Sequence, residues 1–123
     1  MPTDQTATPM IDHSQVAELI EAIGVDDFLD IIMTLDHEVG EQIATLQQRC
    51  SSGNVDGIHK TAHRLAGLLS QFGARRVAEQ AEFVREAACC EEATRLALAF
   101  ISLCHASMTA INTLPLHQGK LAY

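Results

Sequence analysis

The sequence predicts an all-α fold, an antiparallel four-helix bundle with an additional short N-terminal helix. Three observations lead there. Apolar residues recur every three or four positions through long Ala-, Leu-, Glu- and Gln-rich stretches, and no period-two alternation competes. Only three prolines interrupt the chain, at Pro2, Pro9 and Pro115, so its middle carries no helix breaker of that kind. With 47% apolar but only 4% aromatic residues, the core must be built from Leu, Ile, Val and Ala. At 123 residues the chain fits one domain.

Residues 1–11, with two prolines and several threonines, read as a flexible arm. The bundle is expected over 12–114, with 115–123 as a tail. A first helix starts near Asp12 or Ser14 and runs to Ile23, placing Val16, Leu19, Ile20 and Ile23 on one face, with Gly24 as its stop. Asp26 is the expected cap of the second helix. Its apolar positions Phe28, Ile32, Leu35, Val39, Ile43, Leu46 and Cys50 step by three or four. Gly40 is a local weak point, and Ser51, Ser52 and Gly53 end the helix.

Asn54 suits the cap of the third helix, with Asp56 in its first turn, where the macrodipole favours a negative charge. The core stripe Ile58, Ala62, Leu65, Leu69 and Phe72 follows, and Gly73 permits a sharp break. A fourth helix over 74–88 repeats the pattern with Val77, Ala81, Val84 and Ala88. The last, from Glu91 to Thr113, is apolar along Leu96, Phe100, Leu103, Cys104 and Ile111, and Pro115 closes it. Short connections favour antiparallel neighbours. The first helix is expected across one end, and the second beside the third.

Charge narrows the function. A net charge of −8 argues against nucleic acid or an anionic membrane as partner. Its distribution is uneven. Residues 1–48 hold ten carboxylates and no Lys or Arg, whereas Lys60, Arg64, Arg75, Arg76 and Arg85 face only Glu79 and Glu82 between positions 60 and 85. No run approaches the roughly 18 to 20 uninterrupted apolar residues of a membrane span, and no basic segment precedes an apolar one at the start. A cytoplasmic location is therefore expected. Cys50, Cys89, Cys90 and Cys104 form no CxxC pair and read as reduced thiols.

The chemistry-bearing stretch is Ala62-His63-Arg64-Leu65-Ala66-Gly67, continued through Ser70, Gln71, Gly73 and Ala74. At 100° per residue, His63 lies about 140° from the centre of the core stripe, Gly67 about 180° and Ser70 about 120°. His63 therefore faces solvent. A glycine inside a helix costs about 1 kcal/mol relative to alanine, so Gly67 suggests that space is needed there. Helical side chains lean toward the N-terminus, and one at 67 would lean over the turn carrying His63. A neutral imidazole is a competent nucleophile near pH 7 and can attack a phosphoryl group. Such a transfer needs positioning and charge neutralisation, for which Lys60 and Arg64 are the local candidates. Ser70 and Gln71 read either as polar surface or as part of a docking face. His59 and His63, four apart, match helical two-histidine metal sites, but no third ligand accompanies them, so no metal of its own is expected. His13, His37, His105 and His117 suggest only surface or packing roles.

The His63, Leu65, Gly67, Gly73, Ala74 pattern resembles the histidine-containing phosphotransfer (HPt) domain of bacterial multistep phosphorelays. The likeness in residue pattern runs from about Asn54 to Glu86, and in helix count and length over most of the chain. It implies that His63 accepts a phosphoryl group from a receiver-domain aspartate of a hybrid sensor kinase and passes it to the receiver of a response regulator. The protein would then be a stoichiometric phosphocarrier rather than an enzyme, and the receiver would supply Mg²⁺. Two positions depart from the family. A lysine is usual three residues after the histidine, where this chain has Ala66. A glutamate or glutamine that accepts a bond from the imidazole is common where this chain has Arg85, which can only donate. Arg85 is thus expected to replace the lysine's charge, leaving Glu82 or Glu86 to orient the ring. The docking face would combine exposed residues of the second and third helices with Lys60, Arg64, Arg75 and Arg76, on a monomer. The rival reading is a binding-only relative that docks on a kinase or receiver and inhibits signalling without carrying phosphate.

Overall fold

Asp12 starts the first helix. In the computed structural model, which describes residues 10–87 and 89–113, its side chain accepts from the backbone N–H groups of Ser14 at 3.1 Å and Gln15 at 3.2 Å. Two orphan donors of the helix end are thereby satisfied. Arg75, far along the chain, also donates to Asp12 at 3.1 Å. The Gln15 amide first and the Arg75 guanidinium second hold the Asp12 carboxyl below the usual carboxylate range.

Five helices follow among the described residues: α1 His13–Ile23, α2 Val25–Ser52, α3 Val55–Ser70, α4 Arg75–Glu86 and α5 Cys90–Asn112. The expected cap at Asp26 is corrected to Gly24. With a φ of 91°, Gly24 closes α1 and opens α2 in a single residue, and Asp26 and Asp27 fall in the first turn of α2 beside its positive dipole end. Helix α2 runs unbroken through Gly40. Helix α5 begins at Cys90, one residue before the expected start. Ala88 lies outside the described residues, and Ala87 is buried at that end of α4.

Connections of only a few residues reverse the chain between successive helices from α2 to α5. Helix α3 touches α2, α4 and α5, while the α4–α5 and α2–α5 contacts complete the bundle. The predicted stripes supply the interior: Phe28, Leu46, Ile58, Leu65, Leu69, Val77, Val84 and Phe100 are all fully enclosed. Leu96 and Leu103 are only partly buried, because Ala93, Ala97, Ile101, Ser107 and Met108 widen the inward arc of α5. By length and composition α5 is the one described helix apolar enough to cross a membrane, and one face of it, with Phe100, Ile101, Cys104, Met108 and Ile111, fills the bundle core. Phe28 packs on Phe72 with ring centroids 5.9 Å apart.

Helix α1 packs on α2 and on the turn between α3 and α4. The Asp12 N–H donates to the Gly73 carbonyl at 2.7 Å, and Gln15 Nε2 donates to the Ser70 carbonyl at 3.0 Å. Gly73 combines a φ of 80° with this close approach, since a Cβ there would stand 2.9 Å from the Asp12 carbonyl oxygen. The expected arm over 1–11 is shortened at its end. Ile11 is buried, and Met10 packs against the core with its sulfur accepting from the Ser107 hydroxyl at 3.3 Å. Residues 1–9 and 114–123 lie outside the described part.

Candidate functional site

Helix α3 positions the site. Asn54 Oδ1 accepts from the Gly57 N–H at 2.9 Å, fixing the start of the helix. Ile58, Ala62, Leu65 and Leu69 are then driven fully inward. A helix with one side pinned this way must turn the other outward, and His63, Arg64 and Gly67 are exposed.

His63 lies in an open depression together with His59, Lys60, Arg64 and Arg85. The antiparallel reversal at residues 71–74 explains Arg85: it returns α4 alongside α3 so that the end of one helix faces the beginning of the other. Among the described residues no carboxylate lines this depression. Two of its cations hold a carboxylate just outside it. Lys60 pairs with Asp56 at 3.1 Å and Arg85 with Glu82 at 3.0 Å, both on exposed surface. Pairs of this kind are worth about 0–1 kcal/mol and yield readily to a stronger anion. The arrangement offers a reachable imidazole in a cationic, water-open setting, which suits a nucleophile toward a dianionic phosphoryl group.

Glu82 is engaged by Arg85, and among the described residues neither Glu82 nor Glu86 bonds the His63 ring. Ala66 is buried, so the position three residues after His63 contributes packing and no charge. Ser70 and Gln71 do not line the depression, and their carbonyls instead accept from Gln15 of α1. Arg75 is likewise drawn to Asp12 at the α1 end of the bundle, and Arg76, next to it and half-buried, does not line the depression either. Among the described residues no three His, Cys, Asp or Glu side chains gather as a metal site. His59 Nε2 is buried without a hydrogen-bond partner among the described residues.

At Gly67, an added Cβ would meet nothing within 4 Å. The chain's own packing, the His63 side chain included, does not require that glycine. Any clearance it provides is toward a body approaching from outside.

Two residues escaped the sequence reading. Arg49, from the last turn of α2, shares a second depression with Gln42, Thr45, Gly57, Lys60, Thr61 and Arg64, contiguous with the first through Lys60 and Arg64. Gly57 lies beneath it, and a Cβ on Gly57 would stand 2.7 Å from Arg49 Cδ. The available signal was a glycine in the first turn of a helix, the same anomaly that drew attention to Gly67.

The Hpt domain family model matches residues 30–113, from the second turn of α2 through the end of α5. Comparison with curated proteins and with solved structures gave no match. The match covers more than half of the chain and includes His63 and both depressions, so the chain belongs to the Hpt domain family, whose members carry phosphoryl groups in phosphorelays and interact with receiver domains of two-component systems.

Proposed function

We propose that this chain relays a phosphoryl group through His63, from the receiver aspartate of a hybrid sensor kinase to that of a response regulator. The observation that carries the reading is the exposure of His63 within a cation-lined depression on the face of α3 opposite its core stripe. In the forward step the lone pair of the outer ring nitrogen, Nε2, attacks phosphorus and the P–O bond to the donor aspartate breaks. The phosphoimidazolium so formed loses its Nδ1 proton to solvent, the donor aspartate leaves as carboxylate, and the reverse sequence delivers the group to the second aspartate. Lys60, Arg64 and Arg85 neutralise the transferring group from this side, while Mg²⁺ belongs to the receiver. Arg85 takes over the charge absent at Ala66, moving from Glu82 to the phosphoryl oxygens. In this reading the protein is a cytoplasmic monomer, changes only its own phosphorylation state, and needs no cofactor of its own.

The test is incubation with receiver domains phosphorylated with labelled phosphate. Label on this chain that is acid-labile and alkali-stable, and lost in His63→Gln, supports the carrier. Binding to the receiver without label overturns it in favour of an inhibitor that docks without carrying phosphate.

A further inference from the structure

Arg49 does not line the depression around His63, yet its placement is specific. Its side chain lies over the first turn of α3, where a Cβ on Gly57 would stand 2.7 Å from Arg49 Cδ and 2.8 Å from Asn54 Nδ2, so a larger residue at 57 would displace the arginine from this seat. A cation in the last turn of α2 is favoured by that helix's dipole. The dipole accounts for a positive charge there, but not for a notch beneath it.

The charge pattern around Arg49 is equally uneven. Four of the chain's eight Lys and Arg residues, Arg49, Lys60, Arg64 and Arg85, line the two contiguous depressions, and among the described residues no carboxylate lines either. Among the described residues, Arg49 and Arg64 form no ion pair with a carboxylate, although the chain carries 16 Asp and Glu. A cationic band therefore crosses from α4 over α3 to α2 on a molecule of net charge −8. Gly57 lies six positions before His63, about 9 Å along the helix axis. A transient interface of about 600 Å² per partner is a disc of roughly 14 Å radius, so one centred on His63 takes in the Gly57 notch.

We infer that Arg49, seated on Gly57, extends the docking surface around His63 onto α2 and recognises an anionic rim on the receiver domain that exchanges phosphate with this chain. The inference rests on the carrier reading above and adds a specificity-determining contact outside the chemical step. Arg49 touches neither the imidazole nor the phosphoryl group. It acts on encounter and orientation.

The experiment separates the small donor from the protein donor. Wild type, Arg49→Gln and His63→Gln are first treated with phosphoramidate, whose P–N bond breaks with loss of ammonia as His63 gains the phosphoryl group. They are then offered the source organism's receiver domains, keeping one that discharges the wild type. Arg49→Gln should load from phosphoramidate at the wild-type rate. Its transfer to the receiver should show a KM raised about two- to fivefold, an unchanged kcat and a flatter dependence on salt. In the wild type, bound receiver should protect Arg49 from phenylglyoxal, a readout that does not depend on any variant folding. Unchanged KM and salt dependence in Arg49→Gln, or full reactivity of Arg49 in the complex, overturns the inference while leaving the carrier intact. Failure of every receiver to discharge the wild type, or label persisting in His63→Gln, overturns the carrier reading and this inference with it.

Discussion

Gly67 separates a demand of the fold from a demand of docking, because a side chain begun there would meet no internal contact. An alanine there adds a methyl group that meets nothing within 4 Å, on a helical residue without a positive φ. The clash contribution is therefore nil, and the helix-propensity contribution is about 0.5–1 kcal/mol in favour of the folded state. For a domain of this size that corresponds to a rise in Tm of roughly 2–5 °C. Glutamine at the same position keeps most of the propensity gain and adds a side chain leaning over the turn that carries His63. Thermal melts followed by circular dichroism should rank both variants above the wild type. Loading of Gly67→Ala from phosphoramidate should be unchanged. Transfer from a phosphorylated receiver should fall only modestly in Gly67→Ala, but about tenfold in Gly67→Gln, a loss of ~1.4 kcal/mol in the docked transition state. A lower Tm for Gly67→Ala would show that the fold itself needs the glycine. Wild-type receiver transfer in Gly67→Gln would refute clearance as its role.

Two other perturbations follow from the same geometry. Glu82 holds Arg85 at 3.0 Å and so competes with any anion on His63; Glu82→Gln should speed receiver transfer and Arg85→Ala should slow it, each by about two- to fivefold, and unchanged rates in Arg85→Ala would remove Arg85 from the site. Cys104 in the core has its thiol pushed up to about 12 from 9.0 by burial. Its folded-state value lies above the unfolded one, so its contribution is fully present below pH 9 and is lost as pH rises toward 12. That loss is on the order of 1 kcal/mol by pH 10. Urea midpoints at pH 7.5 and pH 10 should therefore differ more for wild type than for Cys104→Ala, and an equal shift in both would refute the assignment.

The bundle was legible because its instructions are periodic. The stripe from Ile58 to Leu69 specifies an inward face by spacing alone, and that face determines where His63 points without knowledge of any neighbour. Caps and contacts across helices follow different rules. Gly24 rather than Asp26 opens α2 because α1 and α2 share one residue between them, a constraint set by three-dimensional closure. Arg75 looked like a docking cation by proximity in sequence, but the fold sends it to Asp12, 63 positions away. The two glycines make the distinction sharpest. Gly67 stands out through its spacing from His63, yet a Cβ there would touch nothing; Gly57 lies in the first turn of α3, yet an arginine from another helix occupies the space beside it. A glycine's position can reveal that space is kept, but only the fold reveals whether the chain's own side chain fills that space. At Gly57 the occupant is Arg49. At Gly67 the space is open, which is the condition a surface that must admit a partner has to meet.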